Sequence, residues 1–400
     1  MATMTYGGPE AAAFRREQRE WIEGNAPDGL RELFDWRSHE VAGNWIAANK
    51  AARDTPEHRL WEERCVAAGL VCPSWPESVG GRGWTRVHKA IFEEELHRAG
   101  VPRIDRGMGE FLLGPTIVAC GTEEQQARLL PPIIAGEHRY CQGFSEPDAG
   151  SDLAGLRTRG VVEGDELVIT GQKVWTSHAL EANMMFLLCR TDPAAPKHKG
   201  LSFVVMPFGP ENGVELSPIV QMTGGSDFGQ EFLTESRTSL TNVIGGLNEG
   251  WRVTMTTLGF ERDFNLPTIS LEFLHEHARM RDRLRDRAAS ARPGVRQAVA
   301  KTYTEAAIVR LFAQRMLADP EGSADMVSMT KLFWSEFHRH ATETELVAEG
   351  PAALVRPAGE GYPTTTTQDS FLAARSGTIF AGTSQIQRNI IAERVLGLPR

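Results

Sequence analysis

The chain has 400 residues, 41% of them hydrophobic and 24% charged, which is typical of a globular protein with one large core or two to three domains. Its formal net charge of −9 argues against a nucleic-acid binder, because a phosphate backbone requires a basic surface. The five cysteines are scattered, which predicts no metal site. No run of about 18 apolar residues occurs, so no membrane span is predicted. The N terminus does not resemble a signal peptide, and we expect a cytoplasmic location.

Helices are predicted from residue 10 to about 138, because apolar residues recur three and four positions apart with charges between them. A segment rich in Pro and Gly at 72–84 predicts a loop within this region. Thr122, followed three residues later by Gln125, resembles a helix start. The first third of the chain is therefore expected to be an N-terminal helical domain.

The pattern changes from about residue 139 to 245, where short runs alternate or are rich in β-branched residues and are separated by turn residues. Five such runs predict strands: RGVVEG, ELVITG, MMFLLCRTD, LSFVVMPF and GVELSPIVQM. The sequence EGDE between the first two predicts a hairpin through Gly164 and Asp165. This middle region is expected to be a β domain.

Helical patterning resumes at residue 246 and continues towards the C terminus, and Pro267 is expected to kink or divide the first helix. The order of helices, strands and helices favours segregated domains over an alternating parallel sheet. We therefore predict an α+β protein with domains at 1–138, 139–245 and 246–400.

Three segments concentrate small polar residues beside aromatic ones, at 140–155, at 171–179 with Trp175, and at 376–400. Each segment alone is more often a turn than a binding site. Together they suit a flat polar heterocycle at the junction of the β domain and the helices, because they combine aromatic faces, backbone amides and hydroxyls. Neither a Rossmann glycine pattern nor a P-loop occurs, so a nucleotide cofactor would have to be held differently.

At these segments the sequence resembles the acyl-CoA dehydrogenase family, and the resemblance covers nearly the whole chain. The matching motifs are SEPDAGSD from Ser145 to Asp152, KVWTS at 173–177 and GTSQIQRNIIAERVLG from Gly382 to Gly397. The resemblance implies an N-terminal helical domain, a central β-barrel-like domain and a C-terminal four-helix bundle, with FAD bound between them and across a subunit interface. A homodimer or homotetramer is expected.

The resemblance also implies an activity, the α,β-dehydrogenation of an acyl-CoA or acyl-carrier thioester to the trans-2-enoyl thioester. In the family a carboxylate removes the α-proton while hydride leaves the β-carbon for flavin N5, and an electron-transfer flavoprotein or similar acceptor takes the electrons. Seven positions match flavin contacts of the family. They are Phe144, Ser145, Ser151, Trp175, Ser177, Thr383 and Gln385.

The expected base departs from the pattern of the short- and medium-chain members. Those members carry a carboxylate directly before the Gly-Thr-Ser motif, where this chain has Ala381. Isovaleryl- and long-chain-type members carry it in a Leu-x-x-Glu-Arg pattern on the first helix of the C-terminal domain, here TLGFERDF with Glu261. Glu261 is therefore predicted to be the catalytic base. The predicted substrate-binding residues are Ser151, Arg262 and Ala381.

Alternatives to this assignment remain open. Glu261 would also suit a structural ion pair or a solvent-exposed position. A flavin monooxygenase or oxidase on the same fold, or a noncatalytic partner subunit of a mixed oligomer, would carry the same motifs, and Ala381 would suit the latter. The family's Arg-x-x-Phe-Gly element at the subunit interface has no clear counterpart here. The small side chain of Ala381 favours a branched or bulky acyl group.

Overall fold

The computed structural model describes residues 5–33, 55–263, 266–286, 292–319, 323, 325–359 and 363–399. The chain divides into two compact units. The helical unit comprises Met1–Ala68, Trp84–Ile104 and Asn265–Arg400, and the sheet unit comprises Gly69–Gly83 and Asp105–Phe264.

Helices and strands of the described residues are numbered in chain order. The helices are α1 Pro9–Asn25, α2 Leu30–Leu33, α3 Pro56–Ala67, α4 Arg86–Ala99, α5 Gly114–Cys120, α6 Glu123–Leu129, α7 Pro131–Ala135, α8 Gly250–Asp263, α9 Leu266–Asp286, α10 Pro293–Ala318, α11 Met326–Glu349, α12 Thr366–Gly377 and α13 Ser384–Ile390. The strands are β1 Tyr140–Gly143, β2 Arg159–Glu163, β3 Glu166–Ser177, β4 Met184–Arg190, β5 Leu201–Pro207, β6 Val214–Ile219, β7 Phe228–Ser239 and β8 Val243–Ile244.

The sheet unit is built on one sheet with the strand order β6-β7-β3-β2-β4-β5-β8, and β1 runs parallel beside β4. Strands β4 and β5 are almost continuously apolar and buried, as expected for strands covered on both faces. The longest pairing joins β3 to β7, antiparallel, from Glu166 opposite Ser239 to Ser177 opposite Phe228. This pairing carries the polar segment at 171–179 as far as Ser177.

The predicted strands are confirmed, and so is the hairpin. Glu163 pairs with Glu166, and Gly164 in the turn between them has φ of +65°, a value that glycine adopts at little cost. Strand β7 was not among the predicted strands, because its polar residues break the apolar run. Its side chains nevertheless alternate between buried and exposed along much of the strand, which is the period of a half-buried strand.

Helices of the sheet unit pack against the sheet. Helix α6 begins as predicted: the Thr122 hydroxyl accepts from the Gln125 amide, and the Gln125 side chain accepts from the Thr122 amide, which forms a capping box. Helix α8 packs on β5 and on α5, where the hydroxyls of Thr257 and Thr116 lie 2.9 Å apart. Helix α8 therefore belongs to the same compact unit as the sheet.

The helical unit is a bundle in which α9, α10, α11 and α12 pack side by side. Helix α8 ends at Asp263 and α9 begins at Leu266, with Pro267 in its first turn, so the predicted division at Pro267 is confirmed. One apolar cluster fills the bundle. Its buried members are Leu266, Phe273, Ala306, Val309, Ala313, Met316, Met326 and Phe337.

The expected fold class is confirmed: helical N- and C-terminal parts flank a central sheet, as in the three-domain fold that the resemblance implied. The domain boundaries at 138/139 and 245/246 stay a prediction.

Candidate functional site

A buried ion pair joins the first two polar segments. The Lys173 ammonium group lies 2.9 Å from Oε1 of Glu146 and also donates to the Phe144 carbonyl at 3.2 Å. The Glu146 carboxylate accepts two further hydrogen bonds, from the backbone amides of Arg157 at 2.6 Å and Thr158 at 2.9 Å. Lys173 is fully buried and Glu146 nearly so. The pair therefore fixes the loop after β1 against strand β3.

Both members of this pair are placed where charge is costly. Burial opposes ionisation of Glu146, but Lys173 and the amide donors outweigh it and lower the pKa of that carboxyl. Burial also lowers the pKa of the Lys173 ammonium, against the attraction of Glu146. Removing either partner would leave the other buried and unpaired.

Ser145 is held beside strand β3 by its backbone. The amide of Val174 donates to the Ser145 carbonyl at 3.0 Å, and the Ser145 side chain is half-buried. The preceding residue, Phe144, is buried with its ring edge-on to Phe186 and Phe203. The structure thus brings Phe144 and Ser145 to the same stretch of backbone as the second segment.

Trp175 is the bulged residue of that stretch. The register between β3 and β7 shifts between Val174 and Thr176, and Trp175 has φ of +63°, an uncommon backbone conformation for a bulky residue. Its side chain is 60% exposed, and its ring lies edge-on to Phe228 with centroids 6.1 Å apart. Strain at an exposed aromatic residue points to a functional site.

The bulge therefore presents a flat apolar face with hydroxyls close to it along the chain. Ser177, the last residue of β3, is half-buried, and Ser145 is bonded to the strand one residue before the bulge. We call residues 175–177 the wall segment. An exposed indole face beside hydroxyls and backbone amides suits a flat heteroaromatic ring with polar edges.

Ser151 lies on the exposed loop between β1 and β2. Its neighbour Asp152 accepts from the Lys197 ammonium at 2.6 Å. The loop is closed at its start by reciprocal backbone hydrogen bonds between Glu146 and Ala149, each 3.0 Å. The structure gives Ser151 access to solvent, and its ligand stays a prediction.

The third polar segment lies in the helical unit, where a tight loop precedes α13. Ala381 has φ of +51° and Gly382 has φ of +86°, so two successive residues are in the left-handed region. The Gln387 amide donates to the Ala381 carbonyl at 2.9 Å. The buried Lys331 ammonium donates to the carbonyls of Gly377 at 3.0 Å and Gly382 at 2.8 Å. Two buried side chains thus set the shape of this loop.

Thr383 and Gln385 follow this loop at the start of α13. The Thr383 hydroxyl accepts from the Ile386 amide at 3.2 Å and so caps the helix, while its own proton remains available to an acceptor. Ser384 between them donates to Glu336 at 2.8 Å, and Gln385 is exposed. The predicted contacts of Thr383 and Gln385 with a cofactor stay predictions.

Glu261 and Arg262 lie in the last turn of α8. Their side chains fall outside the described part of the chain, so the predicted roles of both residues stay predictions. Helix α8 itself is closely seated on the sheet, because a Cβ atom at Gly250 would lie 2.5 Å from the Phe203 backbone nitrogen.

Sequence reasoning missed two buried charged residues near these segments, Lys331 and Glu231. Glu231 lies on β7, and the Thr176 hydroxyl donates to its Oε2 at 2.6 Å. The burial pattern of β7 places Glu231 on the inward face with Gly229 and Leu233, whereas Phe232 faces outward, so the order of apolar and polar residues gives no sign of it.

The described residues contain neither a metal-binding cluster nor a membrane-spanning helix. Within them, no three His, Cys, Asp or Glu side chains are grouped so as to hold a metal ion. Among the same residues, no helix combines the length and apolar character that a bilayer crossing requires.

Three family descriptions match successive parts of the chain. Residues 10–137 match the acyl-CoA dehydrogenase N-terminal domain, residues 141–234 the middle domain and residues 248–396 the C-terminal domain. The acyl-CoA dehydrogenase IpdE1 of Mycobacterium tuberculosis is 39% identical over 379 residues, which is 92% of this chain and 97% of that protein.

Solved structures agree in fold. The Tcur3481-Tcur3483 steroid ACAD matches with a TM-score of 0.78 and 28% identity over 99% of this chain and 100% of the matched chain. The ChsE4-ChsE5 complex from Mycobacterium tuberculosis matches with a TM-score of 0.74 and 27% identity over 98% of each chain.

Proposed function

The chain belongs to the acyl-CoA dehydrogenase family of oxidoreductases, and from that premise we propose that it uses FAD to oxidise an acyl-CoA, or a related acyl thioester, to the trans-2-enoyl thioester. The observation that carries the cofactor is that a buried ion pair and a backbone hydrogen bond join the first two motifs beside a strained bulge, within the second motif, that exposes the Trp175 ring.

The residues present fit a flavin. An exposed indole face suits stacking on an isoalloxazine, and the Ser145 and Ser177 hydroxyls suit its polar edge. Phe144 supports Ser145 from the buried side. Thr383 retains a hydroxyl proton for an acceptor such as a phosphate oxygen, and Gln385 exposes an amide. Bound FAD would supply the hydride acceptor for the β-carbon.

Glu261 is the proposed base. An α-proton beside a thioester is a weak acid, so the base must be desolvated enough to have a raised pKa. Ala381 cannot take a proton, whereas Glu261 sits on a helix that Gly250 and Thr257 seat firmly on its own unit. A rigid support of this kind keeps a base within the narrow distance that proton transfer requires.

The acyl group is proposed to be bulky, with ring-bearing thioesters the first candidates. The methyl side chain of Ala381 leaves more room than a carboxylate would. The Tcur3481-Tcur3483 protein, 28% identical to this chain, is named a steroid ACAD. Arg262 and Ala381 are proposed to contact the substrate, and Ser151, which is exposed, to lie near the CoA pantetheine.

The proposed electron acceptor is an electron-transfer flavoprotein or a similar carrier, and the proposed location is the cytoplasm. A homodimer or homotetramer is the first candidate for the assembly. A mixed oligomer is the second, because the Tcur3481-Tcur3483 and ChsE4-ChsE5 structures each pair two differently named chains. In such an oligomer this chain would carry the flavin segments and the partner would complete the site.

The test is anaerobic reduction of the bound flavin by a panel of acyl-CoA and acyl-carrier thioesters. The bleaching of the flavin absorbance measures the reduction. Wild type is expected to bleach most with bulky acyl groups. Glu261→Gln is expected to keep its flavin and to bleach at least about a hundredfold more slowly, because general-base catalysis is commonly worth about 10²–10⁴ in rate. Glu249→Gln, a change at an exposed glutamate just before α8, is the matched control.

The outcomes separate the alternatives. Full bleaching in Glu261→Gln would remove Glu261 from the mechanism. A colourless purified protein that gains flavin only with a second chain would favour the mixed oligomer. Rapid oxygen consumption with no transfer to an artificial acceptor would identify an oxidase or monooxygenase instead.

A further inference from the structure

The Glu231 side chain hydrogen-bonds to the wall segment on the buried side of the bulge. In the antiparallel register Glu231 lies opposite Lys173, yet its Oε2 accepts from the Thr176 hydroxyl at 2.6 Å. The hydrogen bond therefore spans the position at which Trp175 bulges out. Glu231 is fully buried and Thr176 is 1% exposed, so water does not compete for this contact.

The sheet makes room for this carboxyl at a cost. A Cβ atom at Gly229 would lie 2.5 Å from Glu231 Oε1, so the strand provides a glycine where any side chain would collide. Among the described residues Oε1 has no hydrogen-bond donor. A buried carboxyl oxygen without a donor is destabilising, so Glu231 carries a cost that an apolar side chain would not.

The charged and titratable groups around this carboxyl come from several strands. They are Lys173 on β3 and Cys141 on β1, and beyond Lys173 lie Cys189 on β4 and Glu146 on the loop after β1. From β6 the residue opposite is Leu216. Burial raises the pKa of Glu231 to about 7, against the hydrogen bond from Thr176 and the charge of Lys173. The carboxyl thus changes charge near neutral pH.

We propose that Glu231 is a positioning residue for the wall segment, which it holds through the side chain of Thr176. The carboxyl group does not contact the reacting atoms. It fixes the residue that follows Trp175, so that the indole ring and the Ser177 hydroxyl stay in the orientation that a flavin requires. This inference rests on the proposed flavin site and adds to it a residue outside the three motifs.

The first test needs no flavin. Flavin-free protein is labelled with 5-fluorotryptophan, and the Trp175 resonance is assigned by its loss in Trp175→Phe. In wild type this ¹⁹F resonance is expected to shift with pH around a midpoint near 7. In Glu231→Gln the shift is expected to vanish. The control Glu215→Gln, at an exposed residue of β6, should keep it.

The second test measures FAD affinity. Thr176→Val and Glu231→Leu each remove the hydrogen bond and are expected to weaken FAD binding about tenfold or more. Because both changes remove the same hydrogen bond, the FAD affinity of the double variant is expected to be no lower than that of the weaker-binding single variant. Glu231→Gln keeps an acceptor for Thr176 and should recover affinity to within about threefold of wild type. If Glu231→Leu does not fold, Thr176→Val with Glu231→Gln decides the question.

The two tests keep the proposals distinct. A ¹⁹F titration that survives Glu231→Gln, or FAD affinity within twofold of wild type in Thr176→Val, would overturn the role of Glu231. If wild type binds no FAD at all, the proposed function fails, and the ¹⁹F titration still decides whether Glu231 positions Trp175.

Discussion

The Lys173 ammonium group lies 2.9 Å from Oε1 of Glu146, with both side chains buried in the sheet unit. Lys173 stands two residues before the bulged Trp175, and Glu146 directly follows Ser145. The ion pair therefore links the two segments that line the proposed flavin site. Two backbone amides donate to the Glu146 carboxylate, and the Lys173 ammonium group donates to the Phe144 carbonyl. These three hydrogen bonds offset part of the cost of burying the two charges.

Breaking this pair should destabilise the sheet unit strongly. Lys173→Met leaves the Glu146 carboxylate buried without its counter-ion and is expected to lower the free energy of unfolding by about 3–5 kcal/mol, as measured in urea. The control is Lys197→Met, which breaks a shorter pair, 2.6 Å, with Asp152 on the surface. That change should cost less than about 1 kcal/mol. Equal losses in the two variants would contradict the assigned importance of burial.

Two glycines of helix α8 should respond in opposite directions. Gly250→Ala places a Cβ 2.5 Å from the backbone of Ser202 and Phe203, so the helix must shift from β5, at a cost of about 1–3 kcal/mol. Gly259→Ala meets no described atom within 4 Å and should gain about 0.5–1 kcal/mol from helix propensity.

Thermal unfolding measures the stability of both glycine variants. The rate of flavin bleaching reports whether helix α8 still holds Glu261 in place. Gly250→Ala is expected to slow bleaching by tenfold or more, because the base loses its support. A stable Gly250→Ala protein with unchanged bleaching would show that the seat of α8 does not govern the position of Glu261.

The left-handed conformation of Ala381 makes this position sensitive to branching. Ala381→Val puts a β-branched residue at φ of +51° and is expected to cost about 1–2 kcal/mol of unfolding free energy. Ala300→Val, on an exposed face of α10, should cost no more than about 0.7 kcal/mol. Urea unfolding of the two variants provides the comparison, and a loss no larger at 381 than at 300 would mean that the loop relaxes.

The pH dependence of stability should reveal a pair in the bundle. The His338 imidazole lies 3.1 Å from Glu276. Burial alone would lower the pKa of His338, but Glu276 raises it above its ordinary value of 6.5. Burial likewise opposes ionisation of Glu276, yet His338 and nearby arginines hold its pKa below 4.5.

The sign of the effect follows from these directions. The stabilisation from His338 is complete below pH 6.5 and is lost as pH rises through the folded pKa, whereas that from Glu276 is present above pH 4.5 and is lost as pH falls. The difference in unfolding free energy between wild type and His338→Gln should therefore be largest between about pH 4.5 and 6.5. A difference that does not vary with pH would exclude the charged pair.

Much of the fold was readable from local patterns. The strand runs, the turn at Gly164, the capping box at Thr122 and the division at Pro267 each depend on residues close together in sequence, so propensity and period suffice. Strand β7 was missed, because its polar inward residue Glu231 is compensated by Thr176, about 55 positions earlier in the chain. No local rule contains such a partner.

The family, the fold class and the segments that carry the motifs can be recognised without a structure, since these depend on the order and spacing of residues. The folded chain is needed to see that Lys173 and Glu146 meet, that Trp175 bulges into solvent and that Glu231 and Lys331 hydrogen-bond to the segments beside them. Each of these depends on burial and on contacts between residues distant in sequence. The cost of a buried charge is set by its partners, and those partners exist only after the chain has folded.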